Sequence, residues 1–379
     1  MSKLLFLVAE DSYFCSHRLN LAKAAREAGF EVAVATRCQS HQTLIENSGI
    51  TLFPLHYFNR SSLNPWRQLF TLFELYWIYR QYQPDIVHHV AMKPVILGSL
   101  IAKICRVPKV INALGGLGYV FTDSPQDNRF SNLKKTILRR SVSLLLHWIH
   151  AKPNTQLILQ NPDDIALICQ KTGINKQQIV HIAGAGVDTQ AFPNLLLPKQ
   201  EIIHIVCISR MLWDKGIGEL VEAAHSIRNK QVPAKIILYG LPDPQNPASI
   251  DVVTLEKWHR DGIVEWRGFC EDILKAYSES DIAVLPSYRE GLPKSLLEAA
   301  SCGRAIVTTD VPGCREVVQH GINGFLVPAK NAAALAESLI ALCQNEALRI
   351  QMGQASRERI ERHFADPIIH KQTLALYTN

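Results

Sequence analysis

The sequence predicts an α/β protein built from two Rossmann-like, doubly wound domains facing across a cleft. Three observations predict it. Short apolar runs alternate with amphipathic helical segments from one end of the chain to the other. Many of these runs are continuously apolar, as in Ala234 to Tyr239 and Ile282 to Leu285, the pattern of strands buried on both faces of a parallel sheet. The runs also fall into two series, separated by a polar stretch that carries Pro193 and Pro198.

The first series predicts strands at 3–9, 31–36, 51–55, 85–90, 109–114, 156–160 and 179–183. The second predicts strands at 204–209, 234–240, 263–267, 282–287, 305–309 and 324–327. Segments 16–28 and 216–229 read as amphipathic helices between strands. The separating stretch, 188–202, reads as a linker, giving an N-terminal domain over 1–195 and a C-terminal domain over 200–362. Segment 331–379 reads as two or three helices broken at Pro367, and 363–379 is expected to return as a helix to the N-terminal domain.

A length of 379 residues suits two domains. With 47% apolar and 20% charged residues, the composition is that of a soluble globular protein. A formal charge of +6 is a mild basic bias, compatible with an acidic ligand or an anionic membrane surface. With no zinc-finger spacing, RNP-like run or arginine stripe, nucleic acid is not an expected partner. Nine scattered cysteines without a C-x-x-C pair read as buried free thiols of a cytoplasmic protein. The run from Met1 to Ala9 has the look of a short signal peptide, but it meets Glu10 and Asp11 at once and reads better as a buried first strand. No run approaches the ~18 apolar residues of a spanning helix.

In open α/β sheets, ligands bind at the carboxyl ends of strands. Strand 204–209 ends in Ser209-Arg210-Met211-Leu212-Trp213-Asp214-Lys215-Gly216. Arg210 offers a rigid fork of donors for phosphate oxygens, Lys215 a point charge, and Gly216 a close backbone approach at a helix start, which attracts anions. Together they read as a diphosphate clamp; the plainer alternative is a solvated surface loop. Strand 282–287 leads into Tyr288-Arg289-Glu290-Gly291-Leu292-Pro293-Lys294-Ser295-Leu296-Leu297-Glu298. Pro293 suits a first helical turn. Glu290 then lies in a loop, where it can meet sugar hydroxyls or a developing positive charge. Glu298 lies on a helix, where it can accept from vicinal ribose hydroxyls or stand exposed. The backbone N–H groups of Gly291 and Leu292 are placed to receive phosphate.

At this point a resemblance becomes specific. Glu290-x7-Glu298 resembles the paired-glutamate motif of retaining glycosyltransferases of the GT-B type, glycosyltransferase family 4 in particular. The Ser209-Arg210…Lys215-Gly216 loop lies upstream at the usual distance. The runs Asp310-Val311-Pro312-Gly313-Cys314-Arg315-Glu316 and Gly321-Ile322-Asn323-Gly324-Phe325-Leu326-Val327-Pro328 resemble that family too. The likeness covers essentially the whole chain and is strongest over 204–330. It implies a GT-B fold and a hexosyltransferase or N-acetylhexosaminyltransferase. In such an enzyme Arg210 and Lys215 hold the donor diphosphate, Glu298 the ribose and Glu290 the transferred sugar, so that Glu290, Arg210 and Lys215 carry the catalysis. It implies metal-independent chemistry with no cofactor beyond the nucleotide-sugar co-substrate. No D-x-D dyad occurs in the sequence, which leaves Arg210 and Lys215 to neutralise the leaving nucleotide.

In the N-terminal half, the first loop has no glycine fingerprint, so a dinucleotide site is not expected there. His17-Arg18, the run Asn112 to Phe121 and Gln160-Asn161-Pro162-Asp163-Asp164 resemble bacterial transferases that extend lipid-linked oligosaccharides. That likeness implies a UDP-sugar donor and a polyprenyl-diphosphate glycan acceptor, in cell-surface polysaccharide or glycoprotein glycan biosynthesis. It makes His17, Arg18, His88 and Gly116 acceptor-side candidates. The histidine that many relatives place near the end of the fifth strand is absent from Asn112 to Gly116. His88 and His89 either face the cleft or are satisfied histidines at a strand end. Segments 63–82 and 129–150 combine basic and aromatic residues. They suit an anionic membrane surface, on the inner face of the cytoplasmic membrane, or a helix with one solvated and one core face. Three rival readings stand beside the transferase: a UDP-sugar epimerase of the GT-B fold, a Rossmann dehydrogenase, and a non-catalytic nucleotide- or glycan-binding member.

Overall fold

The computed structural model describes residues 1–59, 62, 64–117 and 129–378, the side chains of 129–135 and 137 excepted. It contains two compact units, one of Met1–Ala185 with Ile369–Asn379, the other of Gly186–Ile368.

The first unit carries β1 (Lys3–Glu10), α1 (Asp11–His17), α2 (Leu19–Glu27), β2 (Glu31–Arg37), α3 (Gln42–Asn47), β3 (Thr51–Pro54), α4 (Pro65–Tyr82) and β4 (Ile86–Val90). It continues through α5 (Met92–Ile104), β5 (Lys109–Leu114), α6 (Arg129–Ile149), β6 (Thr155–Leu159), α7 (Pro162–Thr172) and β7 (Ile179–His181). All strands pair in parallel, in the order β3-β2-β1-β4-β5-β6-β7. Along β1 the side chains divide by parity: Leu4, Phe6 and Val8 join the core under α1 and α2, while Leu5 and Leu7 join the core under α4 and α5. Burial on both faces is why the strand reads as an unbroken apolar run.

The second unit carries β8 (Ile203–Ile208), α8 (Ile217–Asn229), β9 (Ala234–Tyr239), α9 (Val252–Arg260), β10 (Glu265–Trp266), α10 (Ile273–Ser278) and β11 (Ile282–Leu285). After these come α11 (Lys294–Ser301), β12 (Ala305–Thr309), α12 (Cys314–Val317), β13 (Gly324–Val327), α13 (Ala332–Cys343) and α14 (Glu346–His363). Its strand order is β10-β9-β8-β11-β12-β13. The last helix, α15 (Asp366–Thr378), begins in this unit, and from Ile369 onward belongs to the first, where Ile369 and Tyr377 enter the core.

All thirteen expected strands are present, with ends within two residues of expectation. The Rossmann-like double winding holds in both units. The stretch 188–202 does not hang free. Arg357 and Ser301 donate to the Phe192 carbonyl at 2.8 and 2.6 Å, Arg304 donates to the Leu196 carbonyl at 3.0 Å, and Gln200 donates to Asp281 at 2.6 Å. Its polar, proline-bearing composition reads as a linker, yet its carbonyls are satisfied by the second unit.

Candidate active site

In the second unit the chain winds outward from β8 to β9, then returns to place β11 on the other side of β8. That reversal opens a crevice between the carboxyl ends of β8 and β11, the place where doubly wound sheets bind ligands. The two loops that leave it are 209–216 and 286–293, which hold the sequence-predicted donor residues.

The loops are stitched together through the backbone. Tyr288 N–H donates to the Asp214 carbonyl at 2.9 Å, and the Ser287 hydroxyl to the same oxygen at 3.3 Å. Gly216 sits at φ +69°, and a β-carbon there would lie 2.1 Å from the Pro286 carbonyl oxygen. Only glycine fits both the left-handed backbone and the approach. Gly313, at φ +80°, does the same beneath Glu290: a β-carbon there would lie 2.3 Å from the Gly291 oxygen and 2.7 Å from that of Glu290. The Tyr288 hydroxyl donates to Glu219 on α8 at 2.5 Å, with Lys330 Nζ 4.9 Å from the ring centroid. The loop bearing Glu290 is therefore braced from β8, α8 and the β12 loop.

Three cations of the crevice rest on carboxylates. Lys215 Nζ bonds Glu290 Oε1. Arg210 Nη1 bonds Asp243 Oδ2 at 2.6 Å. Lys294 Nζ bonds Glu298 Oε1 at 3.0 Å, one helical turn apart. Glu298 is buried, which excludes the exposed-helix reading of this residue. Burial pushes its carboxyl pKa up, and the Lys294 charge and hydrogen bond only partly oppose that. Gly291 is buried and Leu292 half-buried at the foot of α11. The structure thus brings Lys215, Glu290, Gly291 and Gly313 together. Arg210, at the start of the Lys215 loop, reaches the other way, to Asp243 on the loop after β9.

Two of these partners were not predicted from sequence. Lys294 was legible, because it stands four residues before Glu298 on a helix. Asp243 was not: it meets Arg210 only because β9 lies next to β8.

In the first unit, the acceptor-side candidates separate. His17 is half-buried and stacks on Tyr13, with ring centroids 4.1 Å apart. A side chain at Gly115 would come within 3.1 Å of the Tyr13 hydroxyl. His17, Gly115 and the adjoining Gly116 therefore share the carboxyl edge of the sheet near Tyr13. Arg18 and His88 are buried. His88 lies in mid-strand, stacked on Phe6 at 5.1 Å with Nδ1 2.5 Å from the Tyr377 hydroxyl. Burial, the nearby Arg18 charge and His89 hold its pKa well below the ordinary range. Placing His88 at a ligand-facing edge is thus corrected: its parity on β4 turns it into the core under α15. His89 turns to the other face and is likewise buried.

Asp11, at the end of β1, escaped the sequence reading. Burial alone would raise its pKa. The backbone N–H groups of Gln39, Ser40, His41 and Ser12, all within 2.9 Å, outweigh that and hold it low. It ties the β1 and β2 loops into one edge. Gly118 to Phe121, and the side chains of Arg129, Lys134 and Lys135, lie outside the described residues.

With this geometry established, two family models match the chain in tandem: Glycosyl transferase 4-like over residues 3–161, and Glycosyl transferases group 1 over 203–345. The chain is a group 1 glycosyltransferase. Among curated proteins it is 28% identical to the N,N'-diacetylbacillosaminyl-diphospho-undecaprenol alpha-1,3-N-acetylgalactosaminyltransferase of Campylobacter jejuni, over 95% of this chain and 94% of that protein. It is 26% identical to the UDP-Gal:alpha-D-GlcNAc-diphosphoundecaprenol alpha-1,3-galactosyltransferase of Escherichia coli, over 78% of this chain and 75% of that one. Among solved structures, Anabaena HepE in complex with UDP and glucose superposes with a TM-score of 0.78 at 18% identity, covering all of both chains. That likeness shows the GT-B fold. The match over 203–345 includes the crevice pairs Arg210–Asp243, Lys215–Glu290 and Lys294–Glu298, and the crevice between β8 and β11 is the candidate donor site.

Proposed function

We propose that this glycosyltransferase moves a hexosyl or N-acetylhexosaminyl group, galactose or N-acetylgalactosamine, from a UDP-sugar to a polyprenyl-diphosphate-linked glycan, with retention at the anomeric carbon. The observation that carries the reading is the crevice between β8 and β11, with Arg210, Lys215, Glu290 and Glu298 on its two stitched loops and the helix that follows. The names of the Campylobacter and Escherichia relatives, both acting on undecaprenyl-diphosphate-linked sugars, support the acceptor class. Arg210 and Lys215 take the diphosphate and offset its growing charge as the bond from the anomeric carbon to phosphate breaks. Glu298 accepts from the ribose hydroxyls. Glu290, once Lys215 turns to phosphate, is free to meet the transferred sugar. The acceptor hydroxyl forms the new bond on the face the UDP leaves, and its proton passes to the departing phosphate.

The test is calorimetric titration in EDTA with UDP, GDP and NAD, followed by transfer from UDP-N-acetylgalactosamine and UDP-galactose to an undecaprenyl-diphosphate-linked sugar. UDP binding without metal, followed by transfer, is the expected result. Turnover of UDP-sugar without any acceptor would move the reading to an epimerase, and NAD binding in place of UDP to a dehydrogenase. Arg210→Ala and Glu298→Ala should each weaken UDP binding by about ten- to a hundredfold, the range of a lost charge-assisted contact. Unchanged UDP affinity in Arg210→Ala would remove the clamp from the reading.

A lipid-linked acceptor places the enzyme at an anionic membrane surface, and α4 suits that partner. Its inward face buries Thr71, Leu75, Ile78, Tyr79 and Tyr82. Its outward face is apolar too, with Trp66, Leu69, Phe70, Phe73 and Trp77 all exposed. Ile104 on α5 and Leu144 and Trp148 on α6 are exposed as well, with Lys103 Nζ 3.2 Å from the Trp148 ring centroid. Aromatic side chains with flanking Arg67, Arg80 and Lys103 match an interfacial helix face. No helix among the described residues is long and apolar enough to cross a membrane. In vesicle flotation, the protein should bind liposomes containing anionic lipid and release in salt. Phe73→Ser with Trp77→Ser should abolish that binding while UDP affinity stays unchanged. Equal flotation of this variant would take α4 out of the interface.

A further inference from the structure

The ion pairs of the donor crevice have unequal standing. Glu290 and Glu298 acquire partners when a UDP-sugar enters, namely the sugar and the ribose. Asp243 acquires none in that scheme, yet it holds the residue read as the principal phosphate ligand, with Arg210 Nη1 2.6 Å from Asp243 Oδ2. Asp243 is also built into place. Its own N–H donates to Ser249 Oγ at 2.9 Å, and its carbonyl accepts from Asn246 N–H at 2.8 Å. The β9 loop that carries it is tied to the Arg210 loop. Met211 N–H donates to the Leu241 carbonyl at 3.0 Å, Ile250 N–H to the Met211 carbonyl at 2.9 Å, and Trp213 N–H to the Ala248 carbonyl at 2.8 Å. That pairing holds the Asp243 backbone beside the Arg210 loop.

We propose that Asp243 is a placeholder anion for the donor diphosphate. It holds the Arg210 guanidinium until a nucleoside diphosphate enters, is then exchanged for phosphate, and reclaims Arg210 as the product leaves. This rests on the reading of Arg210 as a diphosphate ligand. The exchange has a physical basis. A guanidinium bonded to a neighbouring carboxylate is biased toward that position, so it meets the ligand already drawn to its place. The same carboxylate then competes with the entering phosphates for Arg210, which lowers affinity. The enzyme gains ordered entry and faster product departure, and gives up tightness of binding. Asp243 is thus an affinity-setting residue that acts through Arg210, without touching the reacting atoms.

The sign of the effect separates this from a structural role. Asp243→Asn keeps the shape and the loop hydrogen bonds and removes the charge. Calorimetry with UDP at low salt should find the variant binding about fivefold more tightly than the wild type, the upper end for a partly exposed pair. UDP as product inhibitor should gain potency in step, and the difference should shrink at high salt. In an Arg210→Ala background the same change should give no tightening. Weaker binding by Asp243→Asn would overturn the proposal and make Asp243 a plain support for Arg210. Equal tightening with and without Arg210 would overturn it in favour of simple repulsion. A wild type that binds no nucleoside diphosphate would remove the donor-site reading itself, an outcome distinct from a wild type that binds and a variant that fails to tighten.

Discussion

Glu290→Gln should lower kcat by about a hundred- to a thousandfold, the cost of removing one preorganised electrostatic contact from a transition state, while UDP binds no more weakly than before. The argument runs through Lys215. That lysine is paired with Glu290. With the carboxylate neutralised, Lys215 loses a competitor and stays available to phosphate, so ground-state binding of the nucleotide is preserved. On the proposed function, what is lost is a negative charge beside the anomeric carbon, where positive charge grows as UDP leaves. Glutamine has nearly the shape of glutamate, and the loop keeps its bonds to Asp214, so the change isolates charge from shape. Steady-state kinetics with UDP-sugar and acceptor, alongside UDP calorimetry, separates the two quantities. A parallel fall in kcat and UDP affinity would mean that Glu290 serves nucleotide binding and not the transfer step.

The fold was legible because a parallel sheet buried on both faces leaves an unbroken apolar run in sequence, and each run in this chain is one strand. The candidate crevice was legible for a related reason. Loops at the carboxyl ends of β8 and β11 had to be where ligand-binding residues gather, and Arg210, Lys215 and Glu290 stand there. Partners across neighbouring strands were not legible. Asp243 faces Arg210 only once β9 is known to lie against β8, and nothing in the spacing between residues 210 and 243 says so. Composition marks 188–202 as a linker but says nothing of how Arg357, Ser301 and Arg304 bond its backbone. Adjacent histidines in a strand pose a further ambiguity. His88 and His89 must point to opposite faces, but which helices cover each face is a tertiary fact. His88 meets Tyr377, 289 residues away in sequence.

His89 belongs to a buried chain of hydrogen bonds that makes the first unit acid-sensitive. The Tyr79 hydroxyl lies 2.8 Å from His89 Nε2, and His89 Nδ1 2.8 Å from Asn112 Oδ1. Asn112 Nδ2 lies 3.2 Å from His150 Nε2, and His150 Nδ1 2.8 Å from the Leu146 carbonyl. The carbonyl fixes the polarity throughout: His150 donates from Nδ1 and accepts at Nε2 from Asn112, whose oxygen accepts from His89, whose Nε2 accepts from Tyr79. Each ring is satisfied only when neutral, because a proton on His150 Nε2 would set one donor against another. Burial is the largest influence on both, outweighing the hydrogen bond to Asn112 at His89 and that to Leu146 at His150, and each is pushed down from 6.5 to about 4. Between those values the unfolded chain binds protons that the folded unit refuses. Stability is therefore full above about 6.5 and falls as pH drops toward 4, by roughly 3 kcal/mol for each histidine. Because the network joins β4, β5, α4 and the end of α6, the loss falls on the first unit. Denaturant unfolding followed at pH 7.5 and at pH 5 should show a lower midpoint at pH 5, and imidazole NMR signals of His89 and His150 should stay neutral to near pH 4. Titration of either ring close to 6.5 would break the argument, since a histidine that charges freely cannot be holding this chain of donors and acceptors in order.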